Sequence, residues 1–232
     1  MREIVLDTET TGLDPYQGHR VVEIGCVELI NRIPSGKTYH CYLNPERDVP
    51  TEAQAIHGHS TEFLKDKPLF AEIADGLVAF LDGASLVIHN AAFDMGFLNA
   101  ELDRVGRTAI GHDRIVDTLL LARRKHPGGP NRLDDLCARY RIDNSRRTKH
   151  GALLDAELLA EVYIELIGAR QAQLVLADAL AERSVGLDAD GRARGRPSPL
   201  VPRITAAERE AHRKFVVTLG SGAVWLDYID GK

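Results

Sequence analysis

The first apolar run of the chain leads directly into two carboxylates. Residues 3–6 form a short, β-branched segment that predicts a strand, and Asp7 and Glu9 follow it. Because residues two apart on an extended chain point to the same face, both carboxylates should converge at one strand end. Apposed carboxylates repel each other unless a cation lies between them, and such hard oxygen ligands suit magnesium or manganese. On its own, however, the pair is better explained as a charged turn after an edge strand.

The remaining hydrophobic pattern predicts strands first and then a strand alternating with helices. Residues 21–30 and 37–43 have strand-like composition and complete a three-strand meander, with a turn at residues 34–36. Residues 85–89 are nearly all apolar and predict a buried strand. Helices are predicted at residues 69–81, 92–105, 118–124, 133–140 and 152–168. This order predicts an α/β fold in which helices flank a mixed β-sheet.

Length and composition divide the chain into three parts. The 232 residues suit one sizeable α/β domain with an appendage. Residues 184–203 are rich in Gly, Pro, Arg and Asp with little apolar content, which indicates a flexible linker. Residues 204–232 regain hydrophobic side chains but are too few to bury a core of their own. We therefore expect a domain of residues 1–183, the linker and a C-terminal segment.

The N-terminal residues and the cysteines indicate the cellular compartment of the protein. Charges among the first ten residues leave no apolar segment of a signal peptide, and no later run is long enough to span a bilayer. We therefore expect a cytoplasmic protein that does not enter a membrane. The three cysteines have no paired spacing, which argues against a disulfide framework or a zinc site and favours reduced thiols.

The formal net charge of −5 constrains how the chain could meet a polyanion. A protein that binds nucleic acid unaided usually presents a basic stripe that releases counterions from the phosphates. Either the substrate is therefore not a nucleic acid, or metal ions and a partner protein supply the attraction that the side chains lack.

Three further polar residues lie at predicted element ends. Asp94 follows the strand of residues 85–89 where the next helix begins, and Asp155 falls in the first turns of the helix after Gly151. An acidic residue in a first helical turn is often only a partner of the helix dipole. His150 precedes Asp155 by five residues, or about 500° of ideal helix, which would not place both on one face. We therefore expect His150 on the loop before the helix, over the site.

Taken in chain order, these residues form one pattern, with D-x-E at Asp7 and Glu9, D at Asp94, and H-x-x-x-x-D at His150 and Asp155. With it the chain resembles the DEDDh exonucleases, and among them the epsilon proofreading subunits of bacterial DNA polymerase III. The resemblance covers residues 1–168, and its signature segments are residues 7–13, 22–25, 56–58, 89–94, 117–118 and 131–136. It implies a ribonuclease H-like fold and a 3′-to-5′ exonuclease activity.

The resemblance also implies a metal-dependent reaction at a single-stranded or frayed DNA 3′ end. Two Mg²⁺ or Mn²⁺ ions would be bridged by Asp7, and His150 would accept a proton from the attacking water, releasing a nucleoside 5′-monophosphate. The metal ligands would be Asp7, Glu9, Asp94 and Asp155. The residues implied to contact the terminal nucleotide are Thr8, Thr10, Gly12, Leu13, Ile56, His57, Asn90 and Phe93. His57, which would wedge against the base, is alternatively a polar helix end before Gly58.

Two alternative functions are compatible with the motifs. An RNA-trimming DEDDh ribonuclease shares the five catalytic groups, because the metal chemistry acts on the phosphate rather than on the sugar. A catalytically inactive adaptor could keep the same fold, but four clustered carboxylates without a metal would destabilise it, so such a copy should have lost some of them. Residues 205–226 favour proofreading, since they resemble the polymerase-binding C-terminus of the epsilon subunits.

The implied partners are the polymerase catalytic (alpha) subunit, the theta subunit and the sliding clamp. Helical spacing and a following glycine-rich turn predict a binding helix in the C-terminal segment, with Phe215 and Trp225 as anchors for the alpha subunit. Gln171, Leu174 and Leu176 match the Q-x-x-L-x-L form of a clamp-binding peptide, without the terminal aromatic residue. A polar helix end followed by apolar residues that pack on the domain explains that segment equally well.

Overall fold

The computed structural model describes residues 1–169, 204–220 and 224–225. These residues belong to two compact units, one within residues 1–173 and the other within residues 174–232. The predicted linker at residues 184–203 and the predicted clamp-binding residues Gln171, Leu174 and Leu176 lie outside the described residues.

The first unit is built on a five-stranded mixed sheet with the strand order β3-β2-β1-β4-β5. The strands are β1 (Arg2–Thr10), β2 (Val21–Ile30), β3 (Ile33–Tyr42), β4 (Ser85–Ile88) and β5 (Ile115–Asp117). β1 pairs antiparallel with β2 and parallel with β4, and β4 pairs parallel with β5. The predicted mixed sheet is confirmed. β5 was not predicted, because three partly buried residues give too short a pattern to distinguish from a loop.

Helices cover both faces of this sheet. They are α1 (Thr51–His57), α2 (Thr61–Leu64), α3 (Phe70–Leu81), α4 (Ala91–Arg104), α5 (Thr118–Lys125), α6 (Leu133–Tyr140) and α7 (Ala152–Leu166). The five predicted helices are therefore present, with ends that differ from the prediction by at most two residues. No helix among the described residues is both long enough and apolar enough to cross a bilayer. All three cysteines are free thiols.

Strand β1 continues past the apolar run at which it was predicted to end. Asp7 and Glu9 lie within the strand, where Asp7 pairs with Gly25 and Glu9 with Glu23 of β2. β1 is also the central strand of the sheet, so the interpretation as a charged turn after an edge strand is wrong. The prediction ended β1 early because buried carboxylates interrupt the apolar pattern, although the backbone pairing with β2 does not depend on side-chain polarity.

The hairpin between β2 and β3 turns earlier than predicted. Asn31 and Arg32 form the turn, and both have positive φ angles, 52° and 69°. This backbone matches the right-handed twist of the flanking strands. The predicted turn at residues 34–36 is wrong, since these residues belong to β3. Pro34 is tolerated there because β3 is an edge strand, where a missing backbone N–H costs no sheet hydrogen bond.

The core lies on both faces of β1, and alternate residues point to opposite sides. Ile4 and Leu6 pack in one cluster with residues of α3 and α4, such as Leu77. Val5 packs on the other face with residues of α7, such as Leu159. Because side chains alternate along a strand, Asp7 and Glu9 share the face of Val5 that α7 covers. The sheet thereby directs both carboxylates toward the start of α7.

The second unit contains one described helix, α8 (Ala206–Thr218). Thr205 caps it, since its hydroxyl accepts from the Glu208 N–H at 3.3 Å while the Glu208 carboxylate accepts from the Thr205 N–H at 2.8 Å. Phe215 and Trp225 are 60 % and 56 % exposed, respectively. The Trp225 ring meets the ring of His212 edge-on, with centroids 5.6 Å apart. The predicted helix is therefore present, and its two predicted anchors lie at the surface.

Candidate active site

Four carboxylates and one imidazole meet where β1, α4 and α7 come together. Asp7 and Glu9 are contributed by β1, Asp94 by the first turn of α4, and Asp155 by the first turn of α7. Glu9, Asp94 and Asp155 are buried. One side-chain ligand atom each from Glu9, His150 and Asp155 lie within 4.8 Å of one another. The fold thus brings together residues that are up to 148 positions apart in the chain, from Asp7 to Asp155.

Gly25 and Glu23 of β2 position the start of α7. A Cβ atom on Gly25 would lie 2.2 Å from both the Ala152 carbonyl carbon and the Leu153 nitrogen, so only glycine allows this close approach. Two residues earlier, the buried Glu23 carboxylate accepts the Ala152 N–H, one of the unpaired donors at the helix N-terminus. These contacts give the segment at residues 22–25 a structural role in placing Asp155 opposite Asp7 and Glu9.

The carboxylate of Glu23 is ionised and lies next to the four clustered carboxylates. Its two carboxylate oxygens lie 2.8 Å from the Nε2 atoms of His40 and His59, respectively. Burial alone would raise the pKa of Glu23, but the hydrogen bonds from His59, His40 and the Ala152 N–H together lower it below the ordinary range. Glu23 is therefore held as a carboxylate, directly across the β1–β2 pairing from Glu9.

Asp94 is oriented by Thr8. The Asp94 Oδ1 atom accepts from both the Thr8 backbone N–H, at 3.0 Å, and the Thr8 hydroxyl, at 2.7 Å. The side chain of Thr8, which the resemblance implied to contact a nucleotide, is thus engaged with a neighbouring carboxylate. These two bonds hold the Asp94 carboxylate against the strand that carries Asp7 and Glu9.

The electrostatics of the cluster favour a bound cation. Burial first, and then the charges of Asp94, Glu9 and Asp155, raise the pKa of Asp7 well above its ordinary value. Burial and the neighbouring carboxylates likewise raise the pKa of Glu9 to about 8. Burial raises the pKa of Asp94 to about 7 against the hydrogen bonds from Thr8. Four oxygen-donor side chains that repel one another fit hard divalent cations such as Mg²⁺ and Mn²⁺, whose charge would remove the repulsion.

His150 lies on the loop directly before α7, as the spacing predicted. Its backbone N–H donates to the Ile56 carbonyl at 3.2 Å, which ties this loop to α1. Its Nδ1 atom is 3.5 Å from Asp155 Oδ2. Partial burial and the nearby Arg147 charge lower the pKa of His150, so the ring is neutral at neutral pH and has a lone pair to accept a proton.

Arg147 was not identified from the sequence, yet it lies at the centre of the site. Its Nε and Nη2 atoms donate to the two oxygens of Asp155 at 2.6 and 2.7 Å, and its Nη1 atom donates to Asp134 at 2.6 Å. Nη2 also lies 2.9 Å from His150 Nδ1. Arg147 is one of two consecutive arginines in a loop, and only the need of the four clustered acids for a positive partner could have indicated it.

Two clefts open beside the cluster. A cleft of about 710 Å³ is lined by Asp7, Asn90, His150 and Asp155, together with basic residues that include Arg123 and Arg132. A second, of about 580 Å³, is lined by Glu9 and by seven of the residues implied to bind a nucleotide. These are Thr8, Thr10, Gly12, Leu13, Ile56, His57 and Phe93. Asn90 alone of that set lines the first cleft, where it caps α4 in a left-handed conformation with φ of 65°.

His57 lies at the end of α1 and lines the second cleft. It is the last residue of α1, and Gly58 follows with φ of 85°. Its Nδ1 atom accepts from the His59 backbone N–H at 3.0 Å, so the proton of the neutral ring is on Nε2. That buried Nε2 atom has no hydrogen-bond partner within the described part of the chain. Burial lowers the pKa of His57 to about 4, so the ring stays neutral.

Comparison with known proteins gives consistent results. The model of the exonuclease family RNase_T matches residues 4–163. The chain is 47 % identical over 222 residues to the DNA polymerase III subunit epsilon of Rickettsia felis, covering 94 % of this chain and 97 % of that protein. It is 52 % identical over 174 residues to the same subunit of Escherichia coli K12, covering 72 % of each chain.

Solved exonucleases share the fold. Exonuclease X in complex with 5′ overhanging duplex DNA superposes with a TM-score of 0.56 at 25 % identity, covering 72 % of this chain and 91 % of that one. The nuclease domain of 3′hExo, a DEDDh family member bound to rAMP, gives a TM-score of 0.63 at 16 % identity, covering 72 % of this chain and 92 % of that one. At that identity the second likeness concerns the fold alone.

Proposed function

This chain belongs to the exonuclease family, among the epsilon subunits of DNA polymerase III, and we propose that it removes mismatched 3′-terminal nucleotides from DNA as the proofreading subunit of that polymerase. The observation that carries the proposal is the convergence of Asp7, Glu9, Asp94, Asp155 and His150 beside two open clefts. The similarity to epsilon subunits along nearly the whole chain supports the same function.

The residues have distinct proposed roles in phosphodiester hydrolysis. Asp7, Glu9, Asp94 and Asp155 would hold two Mg²⁺ or Mn²⁺ ions. Bound there, the ions would lower the pKa of a water and stabilise the departing 3′ oxygen. The neutral ring of His150 would accept a proton from the water whose oxygen attacks phosphorus. The bond from phosphorus to the 3′ oxygen breaks, leaving a nucleoside 5′-monophosphate and a shortened strand with a 3′ hydroxyl.

The second cleft is the proposed site of the terminal nucleotide. Leu13 and Ile56 expose apolar side chains there, beside the partly buried ring of Phe93. Apolar and aromatic surfaces suit the faces of a sugar and a base. The buried Nε2–H of His57 lines the same cleft, and an acceptor on the nucleotide would satisfy it. Glu9 lies in the same wall, so a nucleotide bound in this cleft has its phosphate near the carboxylates.

The C-terminal segment is the proposed attachment to the polymerase catalytic (alpha) subunit. Phe215, Val217 and Trp225 are exposed apolar side chains in this short unit. Docking on a partner would remove these apolar side chains from water and thereby stabilise the segment. A tether of this kind raises the effective concentration of the nuclease beside the polymerase. Such a tether explains how a chain with a net charge of −5 meets DNA often enough. Contacts with the theta subunit and the sliding clamp are further proposals that follow from the resemblance.

The alternative functions are less well supported. An RNA-trimming ribonuclease of the same family would use the same five groups, but relatives that match 94 % of this chain are epsilon subunits. An inactive adaptor would be expected to lose some of the mutually repelling carboxylates, whereas all four are present.

The experiment compares DNA and RNA oligonucleotides of one sequence, each labelled at the 5′ end. With Mg²⁺ we expect the DNA strand to shorten one nucleotide at a time from its 3′ end, with release of nucleoside 5′-monophosphates and no reaction in EDTA. The RNA strand should be degraded more slowly. Faster degradation of RNA would favour the trimming ribonuclease, and no Mg²⁺-dependent shortening of either strand would contradict the proposed function.

A further inference from the structure

Arg147 occupies both oxygens of a carboxylate that the proposed function requires as a metal ligand. The two donors of its guanidinium fork reach Asp155 Oδ1 and Oδ2 at 2.6 and 2.7 Å. A carboxylate in such a bidentate pair has its best acceptor directions filled. In this arrangement both Asp155 oxygens are therefore engaged by Arg147.

The same guanidinium covers His150. Its Nη2 atom lies 2.9 Å from Nδ1 and 3.4 Å from Nε2 of the imidazole. Contact with both ring nitrogens places the guanidinium over the ring, so Arg147 restricts the approach of water to the group that should accept its proton.

Arg147 is also well placed to neutralise the acids. Its side chain is only 7 % exposed and the Asp155 side chain only 3 %, so the pair interacts away from solvent. The third contact, with Asp134, anchors it at the wall of the first cleft, where Asp134 is largely exposed.

We propose that Arg147 is a built-in counter-cation, which holds Asp155 and His150 in the metal-free protein and withdraws toward Asp134 when divalent ions bind. The inference rests on the proposed function, since it takes Asp155 as a ligand and His150 as the base. An ion that enters must break two short charge-assisted bonds, so the measured affinity for metal is lower than the affinity of the unobstructed carboxylates. In return, the folded chain tolerates the four clustered acids before the ions arrive.

Calorimetric titration with Mn²⁺ tests this proposal, together with thermal unfolding in EDTA. Arg147→Met keeps the apolar stem but removes the charge and the donors. We expect it to bind Mn²⁺ about tenfold more tightly than the unsubstituted chain, which corresponds to about 1.4 kcal/mol. Without metal it should unfold at a lower temperature, and saturating Mn²⁺ should close most of that gap. The matched control is Arg146→Met, because Arg146 is exposed and its ion pair with Glu157 is a long one, at 3.8 Å.

Equal or weaker Mn²⁺ binding by Arg147→Met would overturn the proposal, because it would mean that Arg147 positions Asp155 for the ion. If Arg147→Met does not fold in EDTA, Arg147→Lys decides, since lysine keeps the charge but cannot span both carboxylate oxygens. Its affinity should then exceed that of the unsubstituted chain, and equal affinity would overturn the proposal. An unsubstituted chain that binds Mn²⁺ but releases no nucleotide would contradict the proposed function and leave the affinity comparison valid. A chain that binds no Mn²⁺ would contradict both.

Discussion

Gly25 of β2 lies against Ala152, the first residue of α7, so closely that a Cβ atom on Gly25 would come within 2.2 Å of the Ala152 carbonyl carbon. Gly25 also pairs with Asp7 across β1 and β2. One glycine therefore controls how near the helix that carries Asp155 can approach the strand that carries Asp7. The distance between two proposed metal ligands depends on the absence of a side chain.

The first prediction concerns this contact. Gly25→Ala should lower the free energy of unfolding by about 1–3 kcal/mol, because the backbone of α7 must move to accept the methyl group. The displaced Asp155 should lower nuclease activity strongly, also under conditions in which the variant is fully folded. Gly76→Ala is the matched control, since Gly76 is exposed in α3 with no atom near an added Cβ. It should retain activity and gain up to about 1 kcal/mol. Full activity of Gly25→Ala would show that α7 is not positioned by this contact.

The proposed ligands could be predicted from the sequence because each lies on or beside a regular element with a clear signal. Asp7 and Glu9 follow the apolar run of β1, and Asp94 and Asp155 fall in first helical turns. Arg147 could not be predicted, because a loop arginine becomes buried only through contacts that the tertiary fold creates. The hairpin turn was misplaced for a local reason, since Pro, Ser and Gly at residues 34–36 give a stronger turn signal than Asn31 and Arg32.

The second prediction is a pH dependence of stability in EDTA. Burial raises the folded-state pKa of Glu9 from 4.5 to about 8 and that of Asp94 from 3.8 to about 7. The folded state therefore binds protons more tightly than the unfolded state. This contribution is complete below the ordinary pKa values and is lost as the pH rises through about 7 to 8.

Urea unfolding in EDTA should accordingly show decreasing stability between about pH 6 and pH 8.5, with each unit of pKa shift worth about 1.4 kcal/mol. Glu9→Gln should reduce the slope, because one of the raised groups is removed. Saturating Mg²⁺ should reduce it as well, since the ions remove the cause of the shifts. A flat profile in EDTA would contradict the electrostatic description of the carboxylate cluster.

The third prediction concerns His150. His150→Ala should lower kcat by roughly 10² to 10⁴, the usual contribution of a positioned general base. The Mn²⁺ affinity should change only as far as the loss of one side chain next to Asp155 affects it. The decrease of kcat on the acid side of its pH profile should also be absent from this variant, because the variant has no imidazole to become protonated. His112→Ala serves as the control, since His112 is exposed on a 3₁₀ turn away from the clefts. An unchanged turnover and pH profile would remove His150 from the mechanism.

The fourth prediction concerns the C-terminal segment. A chain that ends at Gly186 should keep full activity on free single-stranded DNA but no longer bind the polymerase catalytic subunit. Trp225→Ala in the full chain should weaken that binding by about 2 kcal/mol or more, as expected for an exposed tryptophan that becomes buried in an interface. Co-elution of the shortened chain with the polymerase as tightly as the full chain would exclude the segment as the attachment.

The fifth prediction concerns the clamp motif, which lies outside the described residues. Replacing both Gln171 and Leu174 by alanine should weaken binding to the sliding clamp in a pull-down while leaving nuclease activity unchanged. If clamp binding is indifferent to both substitutions, the segment has another role, such as packing on the nuclease unit.

The cluster around Asp7 is proposed to perform metal-dependent removal of 3′-terminal nucleotides. The most direct measurement is the rate of nucleoside 5′-monophosphate release from a primer with a mismatched 3′ end, in Mg²⁺ and in EDTA, for the unsubstituted chain and for Asp7→Ala. We expect release only from the unsubstituted chain in Mg²⁺. Asp7→Ala should be inactive yet folded and at least as stable in EDTA, because the substitution removes a carboxylate that its neighbours repel. Substantial release by Asp7→Ala, or by the unsubstituted chain in EDTA, would contradict the account.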